Sequence, residues 1–218
     1  MARNNSLGLF KFGLSFLLIG ATLAGCSHGK IKEPELSAMK GRKVALIEID
    51  GEATAKKIIE VALINQLVER GTFILISKQD VDAARTAASQ DPNDWQGIAK
   101  RAGAEYALKA KVLEFEGNTR TGYSSEVVDD PQMAEDRGNG DGKTERYYKV
   151  KSLTGSVKVQ LDFANLDPKI TDVRSGIAES QEVTTEEAKT SAAHLPPKLR
   201  FLEKIANDAF KKFFEKYN

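Results

Sequence analysis

Short apolar runs and longer amphipathic stretches alternate along most of the chain and predict a series of strands and helices. The apolar run Lys43–Ile49 ends at Asp50 and Gly51, and a continuous run of this length predicts a strand that is buried on both faces. Residues 53–70 carry apolar side chains at three- and four-residue steps, which predicts a helix. Gly71 follows at the position where a helix terminator is expected.

The same reasoning predicts the remaining elements. The final helix bears a continuous apolar stripe, which we expect to cover a sheet; a helix lying on a membrane surface stays open as the alternative. The order β-α-β-α-α-β-β-β-α predicts an α/β fold with a single mixed β-sheet covered by helices. The further predicted elements are a strand at 73–76, helices at about 78–89 and from Asp94 to near Gly103, strands at 104–116, 147–164 and 170–184, and a helix at 197–217.

Segment 117–146 differs from the rest of the chain in composition. It holds five glycines, one proline and eleven charged residues among its thirty positions. So few apolar side chains do not offset the entropy cost of ordering the backbone. We therefore predict a long mobile loop here, without specific chemistry, although loops of this length are also used as functional segments.

The N-terminus predicts an export signal. Residues 1–11 carry two positive charges and no acid, and residues 12–25 form an uncharged, largely apolar stretch. This stretch is too short to span a bilayer, which needs about 20 residues. A basic start, a short apolar centre and a small-residue end are typical of a signal peptide, which we assign to residues 1–25.

The end of this signal predicts a lipid anchor. Leu23-Ala24-Gly25-Cys26 resembles the lipobox of bacterial lipoproteins, in which the cysteine is acylated and becomes the new N-terminus. Ser27 follows where an aspartate often retains such lipoproteins in the inner membrane, so the resemblance implies the outer membrane, on its periplasmic face. An ordinary secretory signal with an incidental cysteine is the alternative. We expect a tether at 26–41 and one periplasmic domain at 42–218.

Charge and residue chemistry narrow the function classes. The signal carries two basic residues and no acid, so its removal moves the formal charge from +1 to −1. This lack of basic excess speaks against nucleic-acid binding. With Cys26 as the single cysteine, no intramolecular disulfide can form. His28 and His194 belong to no compact catalytic grouping, so we predict no enzyme, no cofactor and no metal site.

Four stretches carry a family resemblance: Val44–Ile49, Leu63–Gly71, Phe73–Ser77 and Ile98–Val112. They resemble the family of the curli secretion lipoprotein CsgG and its relative LpoB, the activator of a peptidoglycan synthase. The resemblance covers roughly residues 43–116. It implies a periplasmic α/β domain that works through protein contacts at the outer membrane.

Two functional hypotheses follow. The first is a non-enzymatic module that is held to the membrane by lipid and binds an envelope protein, for example in activating a peptidoglycan synthase or supporting secretion. The alternative is an oligomeric secretion-pore subunit, which we rank second because segment 117–146 lacks the run of about ten alternating apolar residues that a lipid-facing strand needs. Self-association stays open. Tyr147 and Tyr148 are the candidate contact residues, since tyrosine is enriched at interfaces.

Overall fold

The structure, a computed structural model, describes residues 32–87, 94–129, 143–170, 172–188 and 194–217. Its first element is a 3-10 turn at Leu36–Met39. The strands and helices that follow confirm the predicted β-α-β-α-α-β-β-β-α order. They are β1 Lys43–Asp50, α1 Ala53–Arg70, β2 Ile74–Leu75, α2 Lys78–Thr86, α3 Trp95–Arg101, β3 Tyr106–Asp129, β4 Lys143–Asn165, β5 Val173–Ala188 and α4 Lys198–Lys216.

Within these residues the strands form one mixed sheet in the order β2-β1-β3-β4-β5, which confirms the predicted fold class. The helical crossovers place β1 parallel to both β2 and β3, whereas β3, β4 and β5 pair antiparallel. The β4–β5 connection turns at Asn165, whose side chain accepts the backbone N–H of Asp167 at 2.9 Å. The Asp167 carboxylate then accepts the N–H of Lys169 at 2.9 Å, so two side chains close the turn.

Helices cover both faces of the β1–β3 half of the sheet. On one face α2 and α3 pack Val81 and Ile98 against Ala45 and Ile47 of β1. On the other face α1 and α4 form the main core, in which Phe210 is fully buried. The apolar stripe of α4 thus covers the sheet, as the first of the two readings predicts. Each large side chain buried there contributes about 1.5–3 kcal/mol.

Local sequence signals define the helix ends. Gly71 adopts the left-handed conformation with φ 58°, and its N–H donates to the Val68 carbonyl at 3.0 Å. At the start of α3 the Asp94 carboxylate accepts the N–H of Gly97 at 2.8 Å, as the sequence predicts for a capping residue.

The prediction of a mobile loop over 117–146 is wrong for the parts that the structure describes. β3 continues to Asp129, β4 starts at Lys143, and the two strands pair without interruption from Gly117 opposite Gly155 outwards. The pairing satisfies backbone N–H and C=O groups and does not require apolar side chains, so a polar composition does not exclude a strand. Residues 130–142 lie outside the described residues, and the prediction stays untested there.

The predicted tether over 26–41 is also wrong in its second half. Leu36 and Met39 are each only 2% exposed and belong to the main core, and Pro34 is buried as well. The Leu36 N–H donates to the carbonyl of Tyr217 at 3.3 Å. These apolar side chains fill the space between the end of α4 and the start of β5. No local sequence pattern predicts this packing. The predicted signal peptide, Cys26 and residues 27–31 lie outside the described residues.

Candidate protein-interaction surface

The β3–β4 hairpin extends beyond the helix layer and forms an arm, which we define as residues 118–129 and 143–154. The helix α4 starts at Lys198, whose side chain packs over Gly117 at the base of the arm. β5 accompanies β4 only as far as Lys149. Among the described residues, the outer rungs of the arm are therefore two-stranded.

One side of the arm exposes a cluster of aromatic and aliphatic side chains. Tyr147 lies opposite Ser125, Lys149 opposite Tyr123, and Glu145 opposite Val127. Directly opposed residues of an antiparallel pair project to the same side, so these six residues share one surface, which we call the arm face. Tyr123 is 77% exposed, Tyr147 69% and Val127 64%.

The arm face continues the side of the sheet that α4 covers. Leu153 projects to the same side of β4 as Tyr147, and it is only 2% exposed. Toward the tip of the arm, the same row of side chains loses its helix cover. The arm face is therefore a stretch of sheet with large apolar groups and without a packed helix among the described residues.

A hydrogen bond orients the Tyr147 ring on this surface. Its hydroxyl donates to Oε2 of Glu145 at 2.8 Å. Hydrogen bonds from the Ser125 hydroxyl and then from Tyr147 lower the pKa of Glu145, so this carboxylate is ionised at neutral pH. The same contact raises the pKa of Tyr147. A side chain that is held in one position before binding loses less conformational entropy when a partner covers it.

The structure separates the two tyrosines that the sequence singles out. Tyr147 lies on the arm face, whereas Tyr148 is half-buried, makes contacts of its own, and projects to the opposite side of β4. Tyr123 and Val127 are the residues that sequence reasoning missed, because they fall in the segment predicted as a loop. Their alternation with Ser124 and Glu126 is the signal that could have found them.

A hollow of about 400 Å³ lies between α1, α2 and β1. Two of the cations on its rim are engaged in contacts within the protein: Lys78 pairs with Glu60 at 2.6 Å, and the Arg85 guanidinium donates to the carbonyl of Ile47. The hydrogen bond to Glu60 raises the pKa of Lys78. These side chains link α2 to α1 and β1, so we interpret the hollow as a feature of the packing between these elements.

His194 does not line this hollow. His194 is exposed in the segment that precedes α4, and His28 lies outside the described residues. In the described ranges, no group of three or more His, Cys, Asp or Glu residues could hold a metal ion. Across those ranges, every helix is either too short or too polar to cross a membrane.

No protein-family model matches the chain, and no curated protein matches it. Among solved structures, the chain is similar to lipoprotein GNA1162 from Neisseria meningitidis, with 9% identity and a TM-score of 0.38, over 80% of this chain and 99% of that one. It is also similar to the PelC dodecamer from Paraburkholderia phytofirmans, with 13% identity and a TM-score of 0.32, over 84% of this chain and 92% of that one. One of these two structures is named a lipoprotein, and both likenesses have TM-scores that do not establish a shared function.

Proposed function

We propose that this chain is a non-enzymatic outer-membrane lipoprotein, anchored at Cys26, whose periplasmic body binds an envelope protein through the arm face. The anchor part of this proposal depends on the signal peptide and the lipobox-like Leu23-Ala24-Gly25-Cys26. The binding part depends on the arm. The activity served by the contact is envelope assembly, such as activation of a peptidoglycan synthase or support of secretion.

The observation that carries the proposal is the exposure of Tyr123, Val127 and Tyr147 together on one side of the arm. Scattered apolar residues on a surface need no explanation, but a group of large side chains held by one strand pair does. Tyrosine supplies large contact area at a low entropy cost and is common at binding hot spots. Because the arm extends past the helix layer, a partner reaches the arm face without meeting the body of the protein.

The proposal is tested by site-specific crosslinking in cells. A photoreactive amino acid replaces Tyr147 in the full chain, and adducts are identified by mass spectrometry. Val183, which is 58% exposed on β5, provides the matched control position away from the arm face. We expect an adduct with a specific envelope protein from position 147 and none of that protein from position 183.

Binding to the identified partner is then compared between Val127→Glu and Val183→Glu, which place the same charge at two similarly exposed valines. We expect Val127→Glu to lose at least 1–2 kcal/mol of binding free energy, about five- to thirtyfold in affinity, and Val183→Glu to bind normally. Tyr147→Phe keeps the aromatic ring and removes the hydroxyl, so it distinguishes the contributions of these two groups to binding. Equal adducts from positions 147 and 183 would contradict the arm face as the contact. Ring-shaped particles of the detergent-extracted protein would favour the pore subunit instead.

A further inference from the structure

The N-terminal segment joins the folded body at one defined place, the start of β5. The carbonyl of Lys32 accepts the N–H of Ser175 at 2.9 Å, and its ammonium group pairs with Asp172 at 2.9 Å. Three residues later Glu35 pairs with Arg174 at 2.7 Å. These contacts fix the path of the chain beside the β4–β5 turn.

The length of chain before this point limits how far the turn can lie from a lipid anchor. Five residues separate Cys26 from Lys32 in the sequence. An extended chain covers about 3.3–3.6 Å per residue, so the distance from one to the other is at most about 20 Å. A lipid on Cys26 would therefore keep the β4–β5 turn close to the bilayer surface.

The turn exposes side chains that suit such a surface. Ile170 in the turn and Val173 at the start of β5 are each 46% exposed, and Lys169 beside Ile170 is exposed as well. Lys100 lines the same shallow hollow as Ile170. We call these four residues the turn surface. Two aliphatic side chains beside two ammonium groups match the boundary between acyl chains and phosphate headgroups.

Ammonium groups outnumber unpaired carboxylates around the turn surface. Asp172 is paired with Lys32 and Arg174, and Glu105 in the same hollow is paired with Arg42. Asp167 keeps its negative charge while it accepts a backbone N–H, so it offsets only one of the two lysines. Within the described residues, neither Lys100 nor Lys169 has an ion-pair partner. Charge complementarity therefore favours a surface rich in phosphate.

We propose that the turn surface rests on the phosphate headgroups of the membrane that holds Cys26, so that the arm points away from the bilayer. This inference relies on the lipid anchor of the proposed function. The 23 residues of β4 run from the tip of the arm to the turn. At about 3.3 Å per residue, the strand between the tip of the arm and the membrane contact is roughly 75 Å long. The anchored end and the binding end are then opposite ends of one strand pair.

The test uses the acylated full-length product in vesicles of phosphatidylethanolamine and phosphatidylglycerol that contain a lipid with a headgroup quencher. Cys26 is the single cysteine in the chain, so once it is acylated an introduced cysteine is the sole free thiol. Ile170→Cys and Val127→Cys carry the same fluorophore, at exposed aliphatic positions on the turn and on the arm face. We expect the label at 170 to be quenched several-fold more than the label at 127. Combining Lys100→Glu with Lys169→Glu should reduce that difference.

The mass of the N-terminal peptide is measured first, because a missing acyl group would overturn the anchor and this inference together. With acylation confirmed, equal quenching at the two positions would overturn the membrane contact and leave the anchor intact. The membrane contact would also be overturned if a second protein strongly protected the thiol at position 170 in cells, even with quenching at 170 in vesicles. In that case a protein, and not the membrane, would cover the turn surface in the cell.

Discussion

Adding one methyl group to Gly176 of β5 should destabilise the protein. A Cβ atom at this position would lie 2.7 Å from Cε2 of Phe213 and 3.0 Å from Cγ of Pro34. The Phe213 ring has little freedom to move, because it packs against Phe163 with centroids 6.3 Å apart and against Phe214 at 5.4 Å. Pro34 is likewise buried in the segment that leads in from the N-terminus.

The size of the effect follows from two opposing contributions. Overpacking a filled core costs about 1–3 kcal/mol. Replacing glycine by alanine in a strand stabilises by about 0.4–1 kcal/mol, through the unfolded chain. Gly176→Ala should therefore lose about 1–2 kcal/mol of unfolding free energy. In a body of this size, that lowers Tm by roughly 2–8 °C.

Gly122→Ala is the matched control, because a Cβ at Gly122 meets nothing within 4 Å. Urea and thermal unfolding of both variants, followed by circular dichroism, measure the difference. Gly122→Ala should be neutral or slightly stabilising. The cost of Gly176→Ala should shrink in a Phe213→Leu background, since the clashing ring is gone. Equal stability of the two glycine variants would refute the packing reasoning.

Three further changes probe the core, a helix cap and an ion pair. Phe210→Ala should cost about 3–5 kcal/mol in urea unfolding, because Phe210 is fully buried. Leu199→Ala, at a position 52% exposed on the same helix, should change the free energy of unfolding by no more than about 0.5 kcal/mol. Similar costs for the two variants would contradict the conclusion that the helix covers the sheet. Asp94→Ala should cost about 1 kcal/mol and Asp94→Ser much less, by thermal unfolding, since serine also caps; an equal loss would argue against capping. Hydrogen bonds from Arg174 and then Lys32 lower the pKa of Asp172 in the folded state. The ionised carboxylate therefore stabilises the folded protein above the ordinary pKa of about 3.9, and this stabilisation is lost as the pH falls through the lowered pKa. Tm measured from pH 6 to pH 2 should therefore fall less for Asp172→Asn than for the unmodified chain, and identical profiles would argue against this contribution.

The elements that depend on local side-chain patterns could be predicted from the sequence. The helix predicted at 53–70 has those bounds in the structure, and β1 is buried on both faces, with Val44 on one side and Ala45 on the other. A helix or strand that buries one side repeats apolar residues at its own period, so its pattern is present in the chain itself.

Local sequence patterns predicted only part of the candidate site. Tyr147 was singled out by residue type, but its grouping with Tyr123 depends on the β3–β4 register, which places Tyr123 opposite Lys149 and Ser125 opposite Tyr147. Such a register is set by strand contacts across the sheet and leaves no local trace in a polar segment. The proposed membrane contact also could not be predicted from a local pattern, because Lys32 and Ser175 meet only in the folded protein.

The amino-acid sequence by itself determined the order of the strands and helices and the approximate bounds of the helices, and it predicts an export signal at the N-terminus. These properties follow from side-chain periodicity and from short contiguous motifs. Tertiary structure alone decided that Leu36 and Met39 are part of the core, that a charged segment continues as a paired arm, and which side chains share the arm face. Those outcomes depend on backbone hydrogen bonds and on shape complementarity between distant parts of the chain, neither of which a linear pattern encodes.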